Sequence, residues 1–186
     1  MSAQFFELHP LIIFPQLFSI IEQTATPMKF RFLWIFIQII DQNEIESEIP
    51  LKLIEEAIQY LINCVKECNS AMNIIEILLS IMIYFISDNY DLFFSLTSKF
   101  RLYKSLADLL QKENSFKTIE LWLILVTLIM SNLYDGFLPI LLCYEVIIRL
   151  KKIKSDLNME QANLIDVILD KADKMGSIEK SDGNAN

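Results

Sequence analysis

Glycine, proline and histidine are scarce in this chain, and their scarcity limits the folds and chemistries open to it. The 186 residues include three Gly, five Pro and one His. Sheets joined by tight turns need Gly and Pro, so this composition favours helices. Gly136, Gly176 and Gly183 stand far apart and form no Gly-rich phosphate loop. The sequence therefore predicts an all-α protein.

The single histidine and the three cysteines give little support for catalysis or for a metal site. His9 precedes Pro10 near the N-terminus, and no constellation of Cys and Asp surrounds it in the sequence. Cys64 and Cys68 lie one helical turn apart but lack the further Cys or His ligands that zinc needs. With Cys143 they lie in or beside helical apolar patterns, which is typical of buried, reduced thiols. We therefore expect no enzyme, no cofactor and no metal.

Positive charge is also in short supply. Sixteen Lys and Arg against 24 Asp and Glu give a formal net charge of -8. This balance argues against a nucleic-acid partner, because phosphates require a basic face. It favours a basic protein segment as the partner, although an acidic surface also serves solubility alone.

Long uninterrupted apolar runs are missing, although 53% of the residues are hydrophobic and the mean hydropathy is +0.38. A membrane-spanning helix needs about 20 predominantly apolar residues. Here Glu76 and Asp88 interrupt one candidate run, and Glu120 and Asp135 enclose another. Short helices that are apolar on every side are typical of helices buried between other helices. The first ten residues carry Glu7 and no Lys or Arg, so no signal peptide is predicted and we expect a cytoplasmic or nuclear protein.

One stretch of the sequence is repeated 44 residues later. Residues 75–93 and 119–137 are identical at seven of 19 positions without a gap. Chance would give roughly two matches in such a window, and a period of this length belongs to armadillo and HEAT units. The matched pairs are Ile75 with Ile119, Glu76 with Glu120, Leu79 with Leu123, Ser87 with Ser131, Tyr90 with Tyr134, Asp91 with Asp135, and Phe93 with Phe137.

Apolar periodicity predicts a series of helices along the chain. Asn-Ser pairs at 69–70 and 114–115 are expected to cap two long apolar helices, and each long helix leads to a turn at a Tyr-Asp pair. The first copy then predicts a short helix, a break and another helix, whereas the second copy predicts one fused helix. The predicted helices cover residues 10–24, 27–41, 50–66, 72–87, 92–96, 103–112, 117–131, 138–154 and 159–174, with a loop over 42–48 and a break over 97–99. Gly176 should end the last helix, so we expect a domain over residues 1–175 and a disordered tail over 176–186.

This arrangement resembles the armadillo family, whose unit is a short helix, a second helix and a long buried third helix. The helices over 72–87 and 117–131 would be third helices, which line the concave face in that family. Ser131-Asn132 at a helix end and the segment Ile165–Asp170 are similar to motifs of the importin-alpha adaptors. The resemblance implies an armadillo-like α-α superhelix, a short right-handed solenoid of about four repeats.

The resemblance also implies a partner-binding surface on the third helices. Importin-alpha adaptors stack Trp rings along Lys side chains of a basic peptide and hold its backbone with Asn. The corresponding pairs are Tyr84 with Asp88 and Leu128 with Asn132, and Trp122 is a further candidate. Alternatively, Tyr84 and Trp122 are core aromatic residues, and Asp88 and Asn132 cap helix ends.

The sequence thus favours a non-enzymatic adaptor that binds a protein partner. The resemblance narrows this to a divergent nuclear-import adaptor for basic peptides. The alternative is a structural subunit of a homo-oligomer or larger complex, because a short solenoid without polar end caps leaves apolar surface to be covered. A helical membrane protein is the third alternative.

Overall fold

The computed structural model describes residues 10–42, 49–67, 72–112, 115–132 and 141–182. Within these ranges the secondary structure consists of nine α-helices and one 3₁₀ turn at Lys154–Asp156, without β-strands. The all-α prediction is therefore confirmed. The helices are α1 Pro10–Gln23, α2 Thr26–Gln42, α3 Leu51–Glu67, α4 Met72–Asp88, α5 Tyr90–Phe100, α6 Leu102–Lys112, α7 Phe116–Asn132, α8 Tyr144–Ile153 and α9 Met159–Asp182.

Apolar stripes at helical spacing account for how these helices pack. Helix α3 has an apolar stripe that is buried along its whole length, while Gln59 and Lys66 on the other side are exposed. Its buried members are Leu53, Ile54, Ala57, Ile58, Leu61, Ile62 and Val65. None of the helices in the described parts of the chain is both long enough and apolar enough to cross a membrane.

Contacts between helices order most of them into two rows. In one row α4 packs between α2 and α7, and α7 packs in turn against α9. In the other row α6 packs between α3 and α8. The pairs α3 with α4, α6 with α7 and α8 with α9 join the rows, and α1 packs against α2. A shared core of apolar side chains fills the space between the rows.

Lysine side chains connect neighbouring helices within each row. Lys171 of α9 donates a hydrogen bond from Nζ to the carbonyl oxygen of Met130, in the last turn of α7, at 2.5 Å. Lys112 of α6 donates similarly to the carbonyl oxygen of Val65, in the last turn of α3, at 2.9 Å. Carbonyls at a helix C-terminus lack partners within their own helix and carry the negative end of its dipole. Each lysine therefore satisfies the end of the preceding helix in its row.

The 44-residue repeat is visible in the helices themselves. Helices α4 and α7 each have 17 residues, and they begin 44 residues apart, at Met72 and Phe116. Leu79 and Leu123 are both fully buried, and Ser87 and Ser131 each donate a hydroxyl hydrogen bond to the carbonyl four residues earlier. Matched positions thus occupy matched environments. The α2–α4–α7–α9 row as a whole has starts at residues 26, 72, 116 and 159, which gives spacings of 46, 44 and 43 residues.

The break in the first copy lies two residues beyond its predicted place. Residues 97–99 are helical, and the chain turns at Arg101, which has a φ of 54° between α5 and α6. The prediction of a break over 97–99 is therefore wrong. Left-handed backbone usually falls on Gly or Asn, so an Arg in this conformation gives no signal in the sequence. The preceding turn lies at Asn89, and Tyr90 and Asp91 begin α5.

The single helix predicted over residues 138–154 is also wrong. Leu142 lies in a turn and Cys143 has extended backbone (φ -60°, ψ 162°), so α8 begins only at Tyr144. The carbonyl of Cys143 accepts the first helical hydrogen bond from the N–H of Ile147 at 3.1 Å. Apolar periodicity concealed this interruption, because buried residues at helical spacing continue on both sides of it. They are Leu142, Val146, Leu150 and Ile153.

The last helix differs from its prediction at its end and on its face. Helix α9 continues through Gly176 to Asp182, because an internal Gly costs a helix only about 1 kcal/mol. Helical spacing predicts an apolar stripe that includes Val167 and Ile168, but Val167 is exposed, and the buried apolar residues described in α9 are Ile165 and Ile168. The division of the chain at residue 175 stays a prediction.

Several predictions fall outside the described residues. These are the loop over 43–48, the Asn69-Ser70 cap, the Asn114 half of the second cap, the Tyr134-Asp135 turn and the last four residues.

Candidate functional site

An open groove of about 730 Å³ lies along one side of α2, α4 and α7, the first three helices of their row. Helix α4 forms its centre, with α2 and α7 contributing from either side. From Asn73 to Ser87 the lining extends along about 21 Å of α4. The lining residues are Trp34, Gln38 and Asp41 of α2, Asn73, Glu76, Ile77, Ser80, Ile83, Tyr84 and Ser87 of α4, and Lys117, Leu121 and Ile124 of α7.

A polar stripe on α4 distinguishes this face from the rest of the helix. Every polar residue between positions 73 and 87 lines the groove: Asn73, Glu76, Ser80, Tyr84 and Ser87. Their spacing of three or four residues places them on one side of the helix. The opposite side of α4, with Leu78, Leu79 and Met82, is fully buried. Between positions 73 and 87, an otherwise apolar helix thus presents its polar side chains to the groove.

Two aromatic side chains line the groove. Trp34 comes from α2 and Tyr84 from α4, and both are half-buried. Each therefore packs on the core with part of its ring and presents the remainder to the groove. An indole and a phenol in this position combine an apolar face with a polar tip.

Charged side chains of both signs line the groove. Asp41 is exposed on α2, Glu76 lies on α4, and Lys117 on α7 forms an ion pair with Glu120 at 3.0 Å. A single cationic side chain thus accompanies two carboxylates in the lining. The Lys117 pair is exposed on both sides, so water and salt screen it.

Hydrogen bonds fix Glu76 to the start of α7. Its Oε1 accepts hydrogen bonds from the hydroxyls of Ser115 at 3.3 Å and Thr118 at 3.5 Å. Ser115 Oγ also accepts the backbone N–H of Thr118 at 3.4 Å, which confirms the predicted cap at this residue. A carboxylate beside a helix N-terminus is stabilised by the helix dipole. Glu76 therefore holds α4 and α7 in register along the groove.

The predicted site residues occupy different environments. Tyr84 lines the groove. Leu128 is half-buried against the core and continues the groove-side spacing of Leu121 and Ile124 on α7. Asp88 and Asn132 are the last residues of α4 and α7, and their side chains lie outside the described part of the structure.

Trp122 is not a surface residue, which corrects its prediction as a partner contact. Its side chain is 1% exposed, and Nε1–H donates a hydrogen bond to the carbonyl oxygen of Leu106 at 2.8 Å. An indole without a partner in the core would leave its N–H unsatisfied, and this bond removes that cost. The alternative interpretation, a core aromatic residue, is the correct one for Trp122.

Trp34 is the aromatic residue of the groove that sequence reasoning missed. Apolar periodicity alone groups Trp34 with Phe30, Ile37 and Ile40, and those three residues are buried. Trp34 stands about 100° around the helix from Leu33, on the side of Gln38 and Asp41. The polar residues at positions 38 and 41 were the available signal for a second, non-core face.

Within the described ranges, no cluster of three or more His, Cys, Asp or Glu side chains could hold a metal ion. No family model, curated protein or solved structure matches this chain. The geometry of the groove is therefore the ground for proposing a function.

Proposed function

We propose that this protein is a non-enzymatic adaptor that binds an extended segment of a partner protein along the groove. The observation that carries the proposal is the polar stripe of α4, which includes Tyr84 and lies along an open groove that Trp34 of α2 also lines. Two members of the stripe also have structural bonds, Glu76 to the start of α7 and Ser87 to the carbonyl of Ile83, and all five lie along the groove. Their placement suits a ligand whose backbone requires hydrogen-bond partners.

The scaffold that we propose is armadillo-like, a short right-handed solenoid of about four repeats. Two features support it: the two rows of helices, and the starts of α2, α4, α7 and α9 at spacings of 46, 44 and 43 residues. In a solenoid, one row of helices lines an extended binding surface. The groove would be part of that surface.

The groove favours a segment with basic and aliphatic side chains. Gln38, Asn73 and Ser80 supply both donors and acceptors for an extended backbone. Trp34 and Tyr84 can stack on the aliphatic parts of Lys side chains. Asp41 and the net charge of -8 attract cations and would raise the rate of encounter. At about 3.3 Å per residue, 21 Å of groove accommodates about six extended residues.

Transport of basic peptides into the nucleus is the narrower form of this proposal. Its support is the sequence resemblance to importin-alpha adaptors together with the acidic and aromatic lining. In this form the protein acts in the cytoplasm and the nucleus.

Intrinsic fluorescence provides a direct test, because the two Trp residues occupy different environments. A ten-residue Lys/Val peptide should change the emission of Trp34 on titration, while a Glu/Val peptide of equal length should not. In Trp34→Phe the change should disappear. Added salt should weaken binding, because the attraction is electrostatic.

Substitution of Tyr84 tests where the peptide binds. Tyr84→Ala should weaken binding of the Lys/Val peptide by about twofold to fivefold, since a Lys on an aromatic ring contributes about 0.5–1 kcal/mol at an exposed site. Tyr144→Ala is the matched control, because Tyr144 is exposed on α8 and is not part of the groove lining. Equal affinities of the two variants, or no response of Trp34 to the Lys/Val peptide, would refute binding of a basic segment in the groove.

A further inference from the structure

Exposed apolar side chains on α2 form a continuous stripe. Met28, Phe32, Ile35 and Ile39 are 46%, 44%, 54% and 39% exposed, and they follow one another at intervals of four, three and four residues. This spacing keeps all four on one side of the helix. We refer to these four residues as the outer stripe of α2.

The outer stripe is separate from the core and from the groove. Buried residues such as Leu33 and Ile37 form one side of α2, and Trp34, Gln38 and Asp41 form the groove side. The outer stripe is a third side, at the end of the α2–α4–α7–α9 row. None of its four residues is charged, and the exposed Arg31 lies on its flank, between the stripe and the groove side. A row whose end is solvated would be expected to have a polar outer face there, as end repeats of solenoids do.

We propose that this stripe is the contact between two copies of the chain, related by a two-fold axis that places the two α2 helices antiparallel. This inference goes beyond the adaptor function and does not depend on it. The intervals of four, three and four read the same in both directions. An antiparallel pair therefore places Met28 opposite Ile39 of the second copy, and Phe32 opposite Ile35 of the second copy.

Two properties of the stripe favour a second copy as the occupant. Two-fold contacts require a surface that is complementary to itself, and this palindromic spacing provides it. The same spacing is that of the a and d positions along which helices pack in coiled coils. An uncharged stripe also pairs with itself without burying an unpaired charge.

The other end of the rows is less suited to receive the stripe. Its exposed apolar residues, Ile148 and Val167 among them, alternate with exposed charged residues. The charged residues are Lys151 and Lys152 of α8, and Asp166 and Asp170 of α9. A head-to-tail contact would remove such charges from water, and it would continue into filaments unless it closed into a ring.

The size of the stripe determines the strength that we expect. From Met28 to Ile39 it extends over about 16 Å of one helix. A stable interface buries about 800 Å² on each partner, which is more than one helix side provides. The dimer should therefore be weak, and monomer and dimer should exchange with concentration.

Sedimentation velocity over a wide concentration range tests the proposal. The mass should increase from that of one 21.7 kDa chain to that of two. Ile35→Glu and Phe32→Lys should each raise the dissociation constant by about tenfold or more. In a dimer of either variant, a charge faces an apolar residue at both of the Phe32–Ile35 contacts. Val167→Glu is the matched control, since Val167 is equally exposed on α9, and this variant should dimerise like the wild type.

Mixing the two variants gives the most specific result. In a mixed pair, Lys at position 32 of one copy faces Glu at position 35 of the other. The second contact between these positions keeps the native Phe32 and Ile35. The mixture should therefore dimerise where neither variant does alone. Circular dichroism should show that both variants remain helical, since both positions are exposed. A monomeric wild type at every concentration, species larger than dimers, or no recovery on mixing would overturn the proposal.

Discussion

At the scale of single residues, the two Trp side chains show how far sequence reasoning reaches. Both stand in apolar helices, yet Trp122, a candidate partner contact, is in the core, and Trp34, which was not a candidate, lines the groove. Whether each Trp is buried or lines the groove depends on which helices pack against its side of the helix. The sequence of one helix does not specify its neighbours. Tyr84 lines the groove as a member of the polar stripe of α4, and its role as a partner contact stays a prediction.

Substituting each Trp by Phe should have unequal effects on stability. Trp122→Phe removes the hydrogen bond to the Leu106 carbonyl and leaves a gap in the core, so we expect a loss of about 1–3 kcal/mol in the free energy of unfolding. Trp34→Phe should cost less than about 1 kcal/mol, because its ring is half-buried. Urea unfolding followed by circular dichroism measures both. Equal losses would contradict a core role for Trp122.

At the scale of helices, periodicity located the elements well but not the breaks between them. The helices over 10–24, 27–41, 72–87 and 117–131 agree with α1, α2, α4 and α7 to within one residue at each end. Apolar spacing is enough there, because a long buried helix repeats its pattern over several turns. The breaks at Arg101 and Cys143 involve one or two residues of special backbone geometry, and neither carries Gly or Pro. Local composition therefore gave no sign of them.

Arg101 provides a test of its break. A non-Gly residue in left-handed backbone costs roughly 1–2 kcal/mol, which Gly avoids, although Gly also gains freedom in the unfolded chain. We expect Arg101→Gly to leave stability unchanged or to raise it by up to about 1 kcal/mol. Lys104→Gly, at an exposed position inside α6, should instead lower stability by about 1 kcal/mol. If both variants lower the unfolding temperature by the same amount, Arg101 does not have the left-handed backbone that breaks the helix.

At the scale of the whole molecule, the contacts are largely between successive helices of the two rows. Helix α4 has neighbours on several sides, namely α2, α3, α5 and α7, whereas α1 packs mainly on α2. A protein built of neighbouring units distributes its stability unevenly, with the interior units held most firmly. Backbone amides of α4 and α7 should therefore exchange with solvent more slowly than those of α1 and α9.

A local destabilisation should reveal whether the rows behave as a linear array. Ile168 is fully buried in α9, so Ile168→Ala should cost about 2–5 kcal/mol through the lost contacts and the cavity. In a linear array this loss acts first on the end unit, and hydrogen exchange measured by mass spectrometry should accelerate in α8 and α9 while α2 and α4 keep their protection. Val167→Ala, one residue earlier and exposed, should leave exchange unchanged. Uniform acceleration along the chain would instead mean that the helices unfold as one cooperative unit, because the end could not then open without the centre.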